Sequence, residues 1–288
     1  MSFKKLEFYK NHVELKPGIS VVVFTKNSET DLKELLETIK KEKYDELIIS
    51  DENSSDDTIK ISKCFTKNII KSKHILGRKR VLEAINFCKY KFFLLIETDQ
   101  RFKKGLFEKL ETELLNSNSY LAYSKLKIID ARNFFEKGQK AHYEILRYKK
   151  YFGTPYISYT KFMQEMYQSE YIPEGSGNDS ALLDLFKMNL INVSNITEES
   201  IQKEKLNFKI FFEKYRWYGE GDYLFLKNNM KIWNLIRILK SIFYVLINYL
   251  FILPIIGLLK FKFIYIPFII LAGIIRYYGF FKKLFKFN

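Results

Sequence analysis

Cysteine is nearly absent from this 288-residue chain: Cys64 and Cys88 are the only two. Neither has metal-ligating partners nearby, so neither a disulfide scaffold nor a structural zinc site is available. Both fall in helical patterns and read as small apolar core residues in a reducing compartment. There is no internal repeat, no low-complexity tract and no Gly/Ser linker. Residues 1–18 are polar with scattered charges and lack the apolar core of a secretion signal. No G-x-G-x-x-G follows the first strand-like segment, which disfavours a dinucleotide oxidoreductase. The chain is strongly basic, with 48 Lys and Arg against 33 Asp and Glu and a formal charge of +15. Such charge attracts nucleic acid, anionic lipid or phosphorylated substrate without distinguishing them. No module with basic–aromatic interleaving is visible, so nucleic acid is not an expected partner.

What the chain has is a series of apolar runs that end in polar or acidic loops. Phe92-Phe93-Leu94-Leu95-Ile96 runs straight into Glu97-Thr98-Asp99. A continuous apolar run of this kind reads as a strand buried on both faces, as in a parallel sheet. Ile19–Phe24 is a second such run, followed by Thr25-Lys26-Asn27-Ser28-Glu29. A helical face of Leu32, Leu35, Leu36 and Ile39 comes next. Glu46–Ser50 is a third run, ending in Asp51-Glu52-Asn53-Ser54-Ser55-Asp56-Asp57-Thr58. Strands separated by helices give βαβαβ, and right-handed crossovers gather their C-terminal loops along one edge. Open α/β sheets bind ligands at that edge. A Glu/Asp pair there suits a hard divalent cation held against a phosphate-bearing substrate, and oxygen-only donors favour Mg²⁺ or Mn²⁺.

These segments resemble the nucleotide-binding half of family 2 glycosyltransferases, which have the GT-A fold. Thr25, Asn27 and Glu29 fit the family's T-x-N-x-E loop. Asp51, Glu52, Ser54, Asp56 and Thr58 fit D-D-x-S-x-D-x-T, with Glu in place of the second Asp. Glu97 and Asp99 fit D-x-D, and Gly77–Ala84 fits the helix that precedes that strand. The resemblance implies a Rossmann-like, mostly parallel central sheet flanked by helices. It also implies a nucleotide-sugar donor, UDP- or GDP-linked, with Asp99 as the better metal ligand. Glu97 and Thr98 would then face water or donor. Arg78 and Arg80 would face the diphosphate as permanently charged donors, or else simply form a solvated basic helix start. Asp51 would meet base or ribose, or serve as a turn acid.

Gly175-Ser176-Gly177-Asn178-Asp179, ahead of a run with Leu182, Leu183, Leu185 and Phe186, resembles the family's E-D motif. Asp179 matches the catalytic base, and Asn178 replaces the Glu. A helix start favours Asp as a cap by itself, and that alternative stands beside the first. Glu213–Gly219 resembles the basic–aromatic segment that leads to a membrane anchor. Arg216 there would meet diphosphate and Trp217 would stack on an acceptor sugar; an amphipathic connecting helix is the alternative. No His follows His142, so the family's downstream metal-ligating His has no counterpart. The region 120–172 is the least legible. Arg132, Arg147 and Lys161 are candidates for the acceptor side.

Ile242 to Leu259 contains no charge over 18 positions, the lower end of a membrane span, and Pro254 and Gly257 would kink it. Phe263–Ile275 is a shorter apolar run, extended only if Arg276 snorkels. Three arrangements fit: a two-helix hairpin, an interfacial or re-entrant pair, and an apolar C-terminal lobe. The expected organisation is a GT-A catalytic domain at 1–225 and a membrane-associated tail at 230–288, on the cytoplasmic face. The expected reaction is inverting, metal-dependent transfer to a hydroxyl of a lipid-linked or cell-surface glycan. Polyprenyl-phosphate glycosyl transfer, or nucleotide and lipid binding without turnover, are the alternatives.

Overall fold

The computed structural model describes residues 15–128, 130–146, 154–176, 178–203, 205–230 and 233–285. The chain divides into two compact units. The first comprises the described residues within Met1–Leu126, Phe152–Ser169 and Leu182–Gln202, and the second those within Lys127–Tyr151, Glu170–Ala181 and Lys203–Asn288. The sequence places a boundary near 225–230. That point falls inside the second unit, within or next to one long helix.

The first unit is built on an eight-stranded sheet with strand order β3-β2-β1-β4-β7-β6-β8-β5. Its leading half follows the apolar runs. β1 (Lys16–Thr25), β2 (Glu46–Asp51), β3 (Ile69–Lys71) and β4 (Tyr90–Glu97) pair in parallel. Val21 to Val23, Ile49, Phe93, Leu94 and Ile96 are inaccessible to solvent.

 A run buried this fully packs side chains on both faces, which is why it does not alternate in polarity. The helix α1 (Glu29–Ile39) lays Leu32, Leu35, Leu36 and Ile39 onto the sheet layer, as its spacing predicts. Helices α2 (Thr58–Lys63) and α3 (Arg78–Phe87) complete the crossovers.

The other half of the sheet corrects the mostly parallel expectation. β7 (Tyr156–Tyr159) runs antiparallel to β4 and to β6 (Leu121–Ile128), and the short β5 (Gln100–Arg101) runs antiparallel to β8 (Val193–Gln202). The sheet is therefore mixed. β7 comes from the region that is least legible in the sequence. Its four residues are all buried but are too few to show a period. The helices α4 (Leu106–Asn116), α6 (Thr160–Gln168) and α7 (Asn178–Met188) belong wholly or partly to this unit. Phe186 of α7 packs on Phe162 of α6, with ring centroids 5.6 Å apart. Cys88 is buried as expected, whereas Cys64 is exposed: it ends α2 on the side away from Ser62 and Thr58, which are the buried positions of that helix.

The second unit is helical. It contains α5 (Phe134–Leu146), α8 (Phe208–Asn229), α9 (Leu235–Ile247), α10 (Leu253–Leu259) and α11 (Tyr265–Phe285). A π-helical turn, Asn248–Ile252, joins α9 to α10. α8 and α11 cross backbone to backbone. A Cβ at Gly219 would collide with the Arg276 carbonyl, and one at Gly279 with the Arg216 carbonyl. Phe211, Tyr215, Tyr265, Phe268 and Ile269 form the core between them.

Among the described residues no single helix is long and apolar enough to cross a membrane. Leu235–Tyr244 with Asn248–Leu259 meets the length and composition requirement only as a pair bent by 40°. Arg276 does not snorkel. Its guanidinium grips Asp222 of α8 through Nε and Nη2 (2.5 and 2.7 Å) and donates through Nη1 to the Tyr249 hydroxyl (2.7 Å). A bidentate pair of this kind binds α11 to α8 and satisfies a charge that the apolar run would otherwise strand.

Candidate active site

The parallel strands bring the predicted loops together by register. Thr25 lies opposite Asp51, and Phe24 lies opposite Glu97, so β1, β2 and β4 end side by side. Thr25 donates to the Asp51 carboxylate (2.7 Å). The Asp51 carboxylate also accepts from the Ser54 amide (2.8 Å) and hydroxyl (2.6 Å) and is almost fully buried. Three donors inside the protein thus hold Asp51, and its role as the acid of the turn is the one with visible partners.

Loop one is stitched to loop two. Asn27 sits in the left-handed region at φ 46°, where Asn is tolerated better than most residues. Its amide donates to the Ser54 hydroxyl (2.8 Å), and its side-chain oxygen accepts from the Ser55 amide (2.9 Å). Glu29 accepts from the Asp57 amide (3.0 Å), and the Glu29 amide donates to Asp56 (3.1 Å). Short polar residues at these positions replace the regular ladder with side-chain bonds to backbone.

Arg80 is not placed to meet a diphosphate. It is 2% exposed, and its guanidinium is used inside the sheet edge. Nε donates to the Ser50 hydroxyl (3.2 Å), Nη1 to Glu52 (2.8 Å), and Nη2 to the carbonyls of Thr25 (2.9 Å) and Ser50. The Phe24 ring lies under it, 5.0 Å from centroid to guanidinium carbon. Burial pulls its pKa down, and the neighbouring carboxylates of Glu52 and Asp51 oppose that pull. Glu52 also pairs with Lys26 and accepts from the Leu76 amide (3.1 Å). The longer Glu in the second acidic loop thus reaches the arginine. Arg78, at the first position of α3, is partly exposed. Arg80→Met is expected to lower unfolding stability by about 1–3 kcal/mol in urea denaturation, because it removes one buried donor each from Ser50, Glu52 and the Thr25 carbonyl, while Lys26 and the Leu76 amide still serve Glu52. A loss under 1 kcal/mol would show that water replaces the guanidinium.

The acidic turn after β4 is braced from three sides. Gln100 accepts from the Glu97 amide (3.1 Å) and donates to the Thr154 carbonyl (2.8 Å) and hydroxyl (2.6 Å). Arg101 donates to the carbonyls of Thr98 (2.9 Å), Gln100 (2.7 Å) and Asp31 (2.9 Å), and to Glu34 (3.0 Å). Gln202, at the end of β8, donates to Asp99 (2.8 Å). Thr98 donates to the Ser28 hydroxyl at 3.5 Å. Glu97, Thr98 and Asp99 remain partly exposed while Gln100, Arg101 and Gln202 are buried. The sequence reading missed these three braces. Gln100 and Arg101 directly follow the motif, and that adjacency was the available signal; Gln202 is distant in sequence and carried none.

Among the described residues no group of three or more His, Cys, Asp and Glu converges on one point. The turn offers two carboxylates and no nitrogen or sulfur donor. That set fits a hard cation such as Mg²⁺ or Mn²⁺, which takes one or two carboxylates and completes its shell with phosphate oxygens and water.

In the helical unit, Ser176 donates to the Trp217 carbonyl (2.6 Å), which ties the loop before α7 to α8. The approach is close: a Cβ at Gly221 would strike Ser176. Gly175 adopts φ 98°, which glycine accepts without strain. With its amide oriented to satisfy both groups, Asn178 donates to the carbonyls of Pro173 (2.8 Å) and Gly175 (3.2 Å). Asn178 therefore ties down the loop before α7. Asp179 lies in the first turn of α7, and burial pushes its carboxyl up to about 6. Arg216 pairs loosely with Glu220 (3.9 Å), one turn on. Trp217 is partly buried, with Tyr218 beside it (centroids 5.7 Å apart). Arg132 has its amide bonded to Glu136 (2.8 Å), and Arg147 and Gly177 lie outside the described residues.

A parallel half-sheet with polar loops gathered at its carboxyl edge, extended by antiparallel strands, defines the GT-A-like class of α/β folds. The sequence profile described as Glycosyl transferase family 2 matches residues 20–169, more than half of the chain. The chain belongs to glycosyl transferase family 2, and it is a glycosyltransferase. Among solved structures, it is similar to glucosyl-3-phosphoglycerate synthase from Mycobacterium tuberculosis. The complex of that enzyme with Mg²⁺ and UDP shares 16% identity at a TM-score of 0.51, covering 70% of this chain and 77% of the other. The complex with Mn²⁺, UDP and glucosyl-3-phosphoglycerate shares 17% at 0.50, covering 70% and 78%. S. aureus TarS shares 17% at 0.49, covering 79% and 77%. Likeness to the synthase at such identity shows the fold. No curated protein matches this chain in sequence.

Proposed function

We propose that this glycosyltransferase moves a sugar, with inversion, from a nucleoside-diphosphate sugar to a hydroxyl of a lipid-linked or cell-surface glycan at the cytoplasmic face of a membrane. The braced acidic turn at the carboxyl edge of the sheet carries this reading. Gln100, Arg101 and Gln202 immobilise Glu97-Thr98-Asp99 at the place where open α/β sheets bind phosphate-bearing ligands. The mycobacterial synthase of like fold, solved with UDP and Mg²⁺, is in keeping with a UDP-linked donor.

Asp99, with Glu97, would hold a divalent cation, which supplies positive charge to the departing diphosphate. Thr25, Asn27 and Glu29 fix the loop that would receive the nucleotide, and Arg78 lies at the start of α3 as a further cationic group. Asp179 would accept the proton of the acceptor hydroxyl as its oxygen attacks the anomeric carbon. A carboxyl held near 6 by burial is a stronger base than an exposed one and is still ionised at neutral pH. Trp217 and Arg216, on the helix tied to the Ser176 loop, would contact acceptor sugar or phosphate.

Purified protein incubated with UDP- and GDP-sugars, Mg²⁺ or Mn²⁺ and membrane lipid extracts tests the reading. Transfer to a hydroxyl-bearing lipid or glycan, abolished by a chelator, is the expected result. Transfer to polyprenyl phosphate alone would replace the acceptor class. Nucleotide binding with neither transfer nor donor hydrolysis would replace the enzyme with a binder.

A further inference from the structure

The exposed apolar surface of the helical unit has a regular construction. Leu235, Leu239, Phe243, Ile247, Phe251 and Ile255 recur at every fourth position through α9, the π-helical turn and α10, and all six are exposed, between 44% and 68%. Tyr249, Leu253 and Gly257 recur at the same interval and are buried. The buried row faces α11: a Cβ at Gly273 would meet the Tyr249 ring, and one at Gly257 the Tyr265 ring. In an uninterrupted α-helix a row at every fourth position drifts around the axis, because a turn takes 3.6 residues. The π turn takes more residues per turn and carries the row back toward its original side. The segment is thus apolar on both sides, one packed on protein and the other open to solvent. Among the described residues no single helix is long and apolar enough to span a membrane.

From Tyr223 to Asn288 there is no Asp or Glu, and there are ten Lys and Arg. Lys262 is engaged by Glu144 (2.6 Å) and Arg276 by Asp222, both acids lying outside that segment. Lys240 and Lys283 are exposed on α9 and α11. An apolar face in so basic a segment is complementary to anionic lipid headgroups over a hydrocarbon layer. A second copy of the chain would bring the same positive charge to the same face and be repelled.

We propose that the outer face of α9 and α10 docks this protein on the surface of an anionic bilayer, seated in one leaflet without a spanning helix. Docking rests on the membrane-linked reading above and deepens it, naming the surface, the depth and the lipid charge. The test is co-flotation of the full chain with vesicles of phosphatidylcholine, with or without phosphatidylglycerol. Binding is expected to be at least tenfold stronger with phosphatidylglycerol, and bound protein should exchange onto a second vesicle population. The triple substitution Phe243→Ser, Phe251→Ser and Ile255→Ser should lower binding at least tenfold, and Lys240→Glu with Lys283→Glu should remove the preference for anionic lipid. UDP binding, measured in parallel, should be unchanged in both variants. Equal flotation of wild type and triple variant overturns the proposal, as do indifference to lipid charge, failure to exchange, and a lipid-free dimer that the triple variant makes monomeric. Loss of UDP binding by the wild type would instead sink the donor reading and leave docking intact.

Discussion

Asp179→Asn is expected to lower glycosyl transfer to a hydroxyl acceptor by roughly 10²- to 10⁴-fold, the usual contribution of a positioned general base, with nucleotide binding retained. The side chain keeps its shape and loses its capacity to take a proton. The wild-type rate should rise with pH through about 6, where the carboxyl ionises, and level off above it; the variant's residual rate should lack that limb. Stability separates this role from that of a helix cap. The folded pKa lies above the ordinary value of 3.8, so the folded state binds the proton more tightly than the unfolded chain. The contribution of Asp179 to stability is therefore greatest below pH 3.8 and declines as pH rises to about 6. Above pH 6 the buried carboxylate opposes folding, and Asp179→Asn should leave the melting temperature at pH 7.5 unchanged or higher. A cap would show the reverse, a loss of about 1 kcal/mol on removal of its acceptor. A pH profile of kcat and a pair of thermal melts decide the matter.

The parts of the site that could be read from the chain were those where local pattern and global fold agree. Val21–Phe24, Leu47–Ile49 and Phe92–Ile96 are apolar without a break because both faces are covered, and each lies in a parallel strand that ends in the expected loop. What stayed hidden depends on partners distant in sequence. Arg80 looks like one basic residue among several at a helix start, and only the fold shows Ser50, Glu52 and Thr25 surrounding it. Gln202 lies 103 positions from Asp99, and its pairing arises from the antiparallel contact between β5 and β8. The C-terminal apolar runs were legible as apolar and not as exposed or buried. Tyr249 and Phe251 look alike in composition, yet one packs on Gly273 and the other is 57% exposed.

Asp99→Asn should reduce transfer by roughly 10³-fold or more, comparable to removal of a principal electrostatic group from a transition state, and should make UDP affinity insensitive to Mg²⁺ or Mn²⁺. An amide is a neutral ligand and cannot hold a hard cation against a diphosphate as a carboxylate does. Gln202 is expected to act through that same carboxylate, since its Nε2 donates to Asp99 from a buried position and so fixes the rotation of the group. Gln202→Leu should weaken metal-dependent UDP binding by about 10- to 100-fold, the range found when a group orienting a ligand is lost. The two effects should not add. In the Asp99→Asn background the carboxylate that Gln202 orients is gone, so Gln202→Leu should cost little further affinity, and the cycle should show strong coupling. Calorimetric titration of UDP with and without Mn²⁺ into the four proteins gives the answer. Additive losses would mean that Gln202 supports the turn by packing alone. An Asp99→Asn protein that kept its metal-dependent affinity would move the ligand role to Glu97, whose backbone is held by Gln100 and whose extra methylene gives it the longer reach.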